Sequence, residues 1–230
     1  MPVFRLEEEL LFPPPSYSEQ DGLLAVGGDL SAERLLLAYS SGIFPWFNED
    51  DPTLWWSPDP RYVIDPSSIK VSRSLEKTIR SGRFNLSIDR AFDDVVEGCA
   101  EARRNGVEGT WITEEMKGAY RRLFDLGHAH SIEAWHGGEL AGGLYGVSLG
   151  RCFFGESMFF RVSDASKVAF VSLARLLESY QFELIDCQLP TEHLKSFGAY
   201  GVKREIFLER LVSGGVVPSP NQLRAVFPSL

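Results

Sequence analysis

The stretch HAHSIEAWHGGELAGGLYGVSLGRCFFGESMFF, residues 128–160, decides the fold because it reads as three consecutive strands. Apolar and β-branched residues fill each segment, and Gly137-Gly138 and Gly150 provide the turns between them. The predicted strands are, roughly, His130–His136, Glu139–Leu149 and Arg151–Phe160. The stretch therefore predicts a three-stranded meander.

Helices and strands alternate on both sides of this meander. Residues 1–60 read as an irregular head with one short helix through Leu35 and Tyr39. The other predicted elements are strands at Tyr62–Ile64, Phe84–Ile88 and Glu183–Gln188, and helices at 70–81, around 92–99, after Thr113, at about Asp164–Tyr180 and after Thr191. This mixture predicts an α/β or α+β fold with a mixed sheet. A shift in composition and charge predicts a domain boundary near residue 62, with a small domain at 1–62 and a sheet domain at 63–230.

The charge of the chain is unevenly distributed. The net charge is −9, and residues 1–60 carry eleven acidic side chains but only two basic ones. Residues 61–90 are locally basic, with seven basic and three acidic side chains. The overall balance argues against sequence-blind binding to DNA or to anionic lipid, which requires a basic field. One local basic patch is compatible with it.

Composition also indicates the compartment. The three cysteines are far apart and without metal or redox spacing, which is typical of reduced thiols in a cytoplasmic protein. The N-terminus has no basic region followed by an apolar core, and no window approaches about 18 continuous apolar residues. We therefore expect neither a signal peptide nor a membrane span.

Asp186 and Gln188 form the first candidate for chemistry. On a strand their side chains share one face, while Ile185 and Cys187 point the other way. A carboxylate beside an amide is suited to holding an amine, taking its proton and donating a hydrogen bond to a carbonyl oxygen. A polar sheet face or an internal hydrogen-bonded pair would give the same pattern.

Glu156 is the second candidate, because it lies within an apolar run from Cys152 to Phe160. A carboxylate in such a run requires a partner, since an unpaired buried charge is costly. The partner is either another side chain or a cationic substrate, and both alternatives remain open at this point. Ser157 lacks the Gly-x-Ser-x-Gly context of a nucleophile.

A basic stripe and a group of tryptophans are candidates for nucleic-acid contacts. Five basic residues recur at spacings of three and four, which on one helix would form a single face: Lys70, Arg73, Lys77, Arg80 and Arg83. The stripe is either a phosphate track or a solvated face. The tryptophans either stack on bases or belong to the core: Trp46, Trp55, Trp56 and Trp111.

Other common sites find little support in the sequence. His128 and His130 would share a strand face, but no third ligand is suggested nearby, which favours a structural role over a metal site. The chain has neither a Gly-x-x-x-x-Gly-Lys-Ser/Thr loop nor a Gly-x-Gly-x-x-Gly motif. Nucleotide hydrolysis and dinucleotide redox chemistry therefore lose their usual signatures.

The chain resembles the leucyl/phenylalanyl-tRNA–protein transferase family from about Gly22 to Gly198. The similarity is carried by several Trp-rich and Gly-rich blocks in the family's order. They are GLLAVGGDLSAERLLLAYSSGIFPWF at 22–47, WWSPDPR at 55–61, GTWIT at 109–113, HAHSIE at 128–133, GGLYGV at 142–147, GESMF at 155–159, ASK at 165–167 and LIDCQ at 184–188.

The resemblance implies an activity and a fold. The family moves leucine, phenylalanine or, less well, methionine from aminoacyl-tRNA to an N-terminal Arg or Lys, marking that protein for degradation in the bacterial N-end rule pathway. The implied architecture is a small N-terminal α/β domain and a C-terminal domain with a GNAT-like acyltransferase fold. A cytoplasmic monomer without metal or organic cofactor is expected.

The resemblance also implies roles for individual residues. Asp186 would orient the amine and help remove its proton, Gln188 would support the reacting groups, and Glu156 would support Asp186 or read the cationic acceptor. The donor side chain would enter an apolar pocket formed by Met158, Phe170, Leu173 and Ile185. Trp46 and Trp111 would flank the 3′ adenosine, and the basic stripe would contact the tRNA acceptor stem.

Two other functions would suit the same features. An acetyl-CoA-dependent GNAT acetyltransferase would share the fold, but its Gln/Arg-x-x-Gly-x-Gly/Ala loop is not found in the sequence. A non-enzymatic RNA-binding adaptor would need the basic stripe but not Asp186.

Overall fold

The computed structural model describes residues 3–102 and 112–217, which form two sheets and seven α-helices. The strands are β1 (Phe4–Leu6), β2 (Leu23–Gly27), β3 (Phe44–Pro45), β4 (Leu54–Trp56), β5 (Arg61–Ile64), β6 (Asn85–Ile88), β7 (Ala129–His136), β8 (Glu139–Leu149), β9 (Cys152–Phe160), β10 (Leu184–Gln188) and β11 (Tyr200–Val202). The helices are α1 (Ala32–Ser40), α2 (Arg73–Arg80), α3 (Phe92–Glu101), α4 (Glu114–Asp125), α5 (Ala165–Ser179), α6 (Glu192–Ser196) and α7 (Arg204–Ser213). The mixed α/β class is confirmed.

The larger sheet has seven strands in the order β11-β5-β10-β9-β8-β7-β6. The meander β7-β8-β9 is antiparallel, as the sequence predicts, and β6, β5 and β11 also pair antiparallel with their neighbours. Among the described strands of this sheet, only β9 and β10 run parallel, and their connection includes α5. This parallel pair matters for the site, because it joins the strands that carry Glu156 and Gln188.

Both faces of the seven-stranded sheet are buried. Phe154 and Leu184 belong to an apolar cluster on one face, and neighbouring Phe153 and Ile185 belong to a second cluster on the other. Residues of α1, α3, α4 and α7 pack in the first cluster, and residues of α2 and α5 pack in the second. Burial on both faces explains why these strands are almost continuously apolar.

The first 60 residues are more regular than the sequence predicts. They contain a four-stranded sheet in the order β1-β2-β4-β3, so the expectation of an irregular head is wrong. These strands have only two to five residues, which is too short for a clear alternation of apolar and polar side chains. The head also contributes Leu35 and Tyr39 to the first apolar cluster. A domain boundary near residue 62 remains a prediction.

The helix predicted at 70–81 is shorter in the structure. It starts at Arg73 because the Ser72 side chain accepts a hydrogen bond from the Leu75 backbone N–H, the geometry of an N-terminal cap. Lys70 precedes the helix, where its backbone N–H donates to the Phe197 carbonyl. None of the helices in the described residues is long and apolar enough to cross a membrane.

Candidate active site

The candidate site lies where strands β9 and β10 stop pairing, and the gap between the two strands beyond this point is the cleft. Their parallel ladder ends at Phe154 opposite Asp186, but β9 continues to Glu156 and beyond, and β10 continues to Gln188. Tyr39 of α1 and Tyr120 of α4 extend their hydroxyl groups into this region. The site is therefore built from four elements, one of them in the head.

Two irregularities direct the site's side chains. The β8–β9 register shifts at Glu156, since Tyr145 pairs with Ser157 and the next residue, Gly146, pairs with Gly155. The β10–β5 register shifts between Asp186 and Gln188. Such bulges interrupt the alternation of side chains and often lie beside active sites.

Gln188 itself has a left-handed backbone, with φ of 60°. This conformation is unfavourable for a residue with a β-carbon and persists only where the surroundings impose it. The Gln188 backbone N–H donates to Asp186 Oδ1 at 2.9 Å, which fixes the turn. Ile185 and Cys187 lie in the apolar cluster on the opposite face, as the alternation predicts.

Glu156 is the centre of a buried hydrogen-bond network. Its Oε1 accepts from the Tyr39 hydroxyl at 2.8 Å and from Gln188 Nε2 at 2.9 Å. Its Oε2 accepts from the Tyr120 hydroxyl at 2.6 Å. The alternative of an internally paired Glu156 thus describes the structure, in which the residue is 8 % exposed.

Burial controls the protonation of this network. Burial, which removes hydration from the ionised carboxylate, and to a smaller extent the nearby charge of Asp186 raise the pKa of Glu156, to about 7 in all. Hydrogen bonds from Tyr120 and Tyr39 act in the opposite direction. The pKa values of both phenols are raised well above 10, chiefly by burial, so the phenols stay protonated at neutral pH.

Asp186 is held by a buried ion pair. Arg61 Nε donates to its Oδ1 at 2.8 Å and Nη2 to its Oδ2 at 2.6 Å, and both side chains are at most 1 % exposed. The guanidinium lies between the rings of Phe44 and Phe207, at 4.6 and 4.7 Å from their centroids. The carboxylate therefore has no surface of its own on the cleft.

The predicted pocket residues share one side of the large sheet. Phe170, Leu173 and Ile185 are almost fully buried, and Met158 packs against the same cluster. The bulge at Glu156 puts Met158 on this side, whereas Glu156 faces Tyr39 and Tyr120. Phe170 also contacts the ring of Phe197, with centroids 5.0 Å apart.

The tryptophans differ in their surroundings. Trp46 is 41 % exposed, next to Trp56, whose indole N–H donates to the Trp46 carbonyl. Trp55 is a core residue, fully buried, and its indole N–H donates to the Gly27 carbonyl. Trp111 lies outside the described residues.

The five predicted tRNA-contacting residues are exposed but do not form one helical stripe. Arg73, Lys77 and Arg80 lie on α2, whereas Lys70 precedes it and Arg83 follows it. Glu76 also interrupts the basic surface, because its carboxylate pairs with Arg80 at 3.0 Å and with Arg175 of α5 at 2.7 Å.

One member of the histidine pair, His130, has a carboxylate partner. His130 Nδ1 lies 2.7 Å from Asp89 Oδ2, next to the Ser131 backbone N–H, which donates to Asp89 Oδ1. Within residues 3–102 and 112–217, no three His, Cys, Asp or Glu side chains are grouped as metal ligands.

Sequence reasoning missed Tyr39, Arg61 and Tyr120. Tyr39 and Tyr120 read as members of apolar helix faces, although a buried phenol normally requires a hydrogen-bond partner. Arg61 is a single cationic residue at the start of a predicted apolar strand. These signals indicate that each side chain needs a partner, but not which one.

Comparison with known proteins now identifies the family. Residues 63–212 match the family model described as leucyl/phenylalanyl-tRNA protein transferase, and residues 28–59 match that of its N-terminal domain. The chain belongs to this family. A leucyl/phenylalanyl-tRNA–protein transferase from Syntrophobacter fumaroxidans is 60 % identical over 92 % of this chain and 90 % of its own. Another of the same name from Syntrophotalea carbinolica is 55 % identical over the whole of both chains.

Solved structures resemble the transferase more distantly. A conserved protein of unknown function from Bacteroides thetaiotaomicron overlaps with a TM-score of 0.46 and 12 % identity, over 63 % of this chain and 60 % of its own. A TM-score below 0.5 does not assign the fold of this chain, and the GNAT-like description of the larger domain remains a prediction.

Proposed function

We propose that this transferase moves leucine, phenylalanine and, less well, methionine from aminoacyl-tRNA to the N-terminal Arg or Lys of acceptor proteins. Family membership over nearly the whole chain carries the proposal. The product would be an N-terminal degradation signal in the N-end rule pathway. The cell compartment would be the cytoplasm, and the enzyme would work as a monomer.

The chemistry asks mainly for positioning. An aminoacyl ester is already activated, so the acceptor amine needs only to be neutral and close to the ester carbonyl carbon. The cleft between β9 and β10 offers an amide and a carboxyl group for this purpose. Gln188 donates to Glu156 through Nε2, which leaves its amide oxygen to accept from the amine.

Asp186 acts on this site indirectly in our proposal. Its carboxylate is fully buried on Arg61, and it holds the Gln188 backbone N–H. We assign Asp186 to fixing the left-handed turn that presents the Gln188 amide. This assignment makes it a positioning residue rather than a group that touches the amine.

The donor aminoacyl-tRNA would contact three surfaces, one for its amino-acid side chain, one for its terminal adenosine and one for its acceptor stem. Met158, Phe170, Leu173 and Ile185 supply an apolar environment for its side chain. Such a surface discriminates weakly among apolar side chains, because one methylene is worth about 1–3 kcal/mol. Exposed Trp46 offers a ring for the terminal adenosine, and Trp111 would be its partner. The exposed basic residues 70–83 would contact the acceptor stem.

The test is transfer of radiolabelled phenylalanine from Phe-tRNA to three versions of one protein that begin with Arg, Lys or Ala. We expect label on the first two and none on the third. Labelling of all three would contradict the acceptor assignment. Saturable acetyl-CoA binding without transfer from Phe-tRNA would contradict the proposed function and favour an acetyltransferase.

A further inference from the structure

Four oxygen atoms of the candidate site, two from phenols and two from the Glu156 carboxyl group, are joined by three short contacts into a chain that closes through the carboxyl carbon. The Tyr39 and Tyr120 hydroxyl oxygens are 2.7 Å apart, and each also lies 2.6–2.8 Å from an oxygen of Glu156. Each of these three distances suits a hydrogen bond between oxygens. A hydrogen bond needs one proton, so the number of protons in this group decides how many of the contacts can be bonded.

The ionised cluster is one proton short. With Glu156 as a carboxylate, the two phenols supply two protons for three contacts, and one contact remains without a hydrogen atom. One additional proton completes the ring, because the carboxyl group then donates to one phenol, which donates to the other, which donates back to Glu156. The cluster can therefore take up a proton without leaving that proton buried and unpaired.

The groups around the cluster include charges that favour the protonated form of Glu156 and charges that favour its ionised form. Around the cluster lie Tyr145 of β8, which packs edge-on against Tyr120, the Arg61–Asp186 ion pair of β5 and β10, and the Gln188 amide. Arg61 and Asp186 carry opposite charges, and they act on Glu156 in opposite directions. The pKa of Glu156, raised by burial to about 7, lies where a proton can be both accepted and released at neutral pH.

We propose that Glu156, as part of this cluster with Tyr39 and Tyr120, takes the proton that the acceptor amine loses during peptide-bond formation. The inference rests on the proposed function. The amine nitrogen bonds to the ester carbonyl carbon, and one amine proton passes to Glu156. The bond from that carbon to the ribose oxygen then breaks, and the ribose oxygen receives the proton. No electrons are exchanged with a cofactor, and Glu156 returns to its ionised form.

Unused hydrogen-bonding capacity also favours Glu156 over Asp186 as the proton acceptor. Asp186 already accepts from Arg61 Nε, from Arg61 Nη2 and from the Gln188 backbone, and it is fully buried. Glu156 Oε2 has one hydrogen-bond partner among the described residues, Tyr120, so it can accept from an amine as well.

The experiment measures single-turnover transfer from Phe-tRNA to saturating Arg-starting peptides between pH 5.5 and 9. Two peptides are compared whose α-amino groups titrate about one pH unit apart. A limb of the profile is a pH range over which the rate rises, and a limb caused by a group of the enzyme keeps its midpoint when the peptide changes. We expect such a limb near pH 7. Glu156→Gln should lose this limb and 100- to 10,000-fold in rate, the usual contribution of a positioned acid–base group.

Conservative tyrosine variants keep the test independent of the folding of Glu156→Gln. In Tyr39→Phe and Tyr120→Phe the carboxylate loses a hydrogen-bond donor, so the midpoint of the limb should move to higher pH. Tyr145→Phe is the matched control, since it removes a neighbouring buried phenol that lies outside the closed chain. Carbon-13 NMR of the Glu156 carboxyl group, in enzyme without substrate, should show the same midpoints.

Three results would overturn the inference. They are a limb that follows the peptide's own amine, a limb that persists in Glu156→Gln, and tyrosine variants that behave like Tyr145→Phe. Absence of transfer by the wild-type enzyme at every pH would instead overturn the proposed function. The NMR midpoint still tests the cluster in that case, and a value near that of an ordinary glutamate would contradict it.

Discussion

Replacing Arg61 by Met should destabilise the protein strongly, because it leaves Asp186 charged and unpaired in the interior. Both hydrogen bonds from the guanidinium to the carboxylate disappear, and only the Gln188 backbone N–H remains as a donor. Methionine is unbranched and packs well against aromatic rings, so it suits the space between Phe44 and Phe207. The expected loss therefore comes from the broken ion pair, with a smaller part from the lost hydrogen bond of Arg61 Nη1 to the Gly42 carbonyl, rather than from a cavity.

The magnitude follows from the burial of the pair. Both side chains are at most 1 % exposed, and removing one partner of such a pair costs about 3–5 kcal/mol. For a protein of this length each 1 kcal/mol lowers the melting temperature by about 2–4 °C, which predicts a decrease of roughly 6–20 °C. Thermal unfolding followed by circular dichroism measures it.

Two further variants make the measurement specific. Arg175→Met removes an arginine that is 46 % exposed and pairs with Glu76 at the surface, so it should cost about 0–1 kcal/mol. The double variant Arg61→Met with Asp186→Leu removes both charges and should recover a large part of the stability. An Arg61→Met protein that melts within about 2 °C of the wild type would refute the buried ion pair.

Three more predictions concern pH, tRNA and the donor. The pKa of folded Glu156 is about 7, against 4.5 for an ordinary glutamate, so the folded state binds the extra proton and its stability falls as pH rises from 4.5 to 7. Urea titrations should show this decline, up to about 3 kcal/mol, in the wild type but not in Glu156→Gln. The affinity for tRNA should decrease as the salt concentration rises. Arg73→Ala or Lys77→Ala should each reduce the slope of log affinity against log salt concentration by about 1, whereas Lys117→Ala, whose lysine pairs with Glu97 and Glu114, should leave it unchanged. Equal slopes in all three variants would contradict a contact between tRNA and the basic surface. Phe170→Leu should change the ratio of kcat/KM for Phe-tRNA and Leu-tRNA by about 10- to 200-fold, and an unchanged ratio would place the donor side chain elsewhere.

The sequence predicts the parts of the fold that depend on neighbouring residues. Local turns delimit the meander, and Thr113 and Thr191 cap helices where expected, each accepting from a backbone N–H three residues later. The faces of Ile185 and Cys187 follow from simple alternation. The two-residue strand Phe44–Pro45 has no such local signal, and only its pairing with β4 makes it a strand.

The connections within the site lie beyond such reasoning. Tyr39 and Glu156 are 117 positions apart, and Arg61 and Asp186 are 125 apart. Periodicity shows which side chains share a face of one element, but not which elements face each other. The bulge at Glu156 adds a second obstacle, because it separates Glu156 from Met158 although strict alternation would put them together.

We propose that transfer occurs at the cleft between β9 and β10, beside Gln188. It is tested most directly by the single-turnover rate from Phe-tRNA to an Arg-starting peptide in Gln188→Ala, with Gln181→Ala as the control for an exposed glutamine. We expect Gln188→Ala to keep its fold and to lose at least about 100-fold in rate, while Gln181→Ala keeps the wild-type rate. A folded Gln188→Ala enzyme with the wild-type rate would place the transfer site elsewhere.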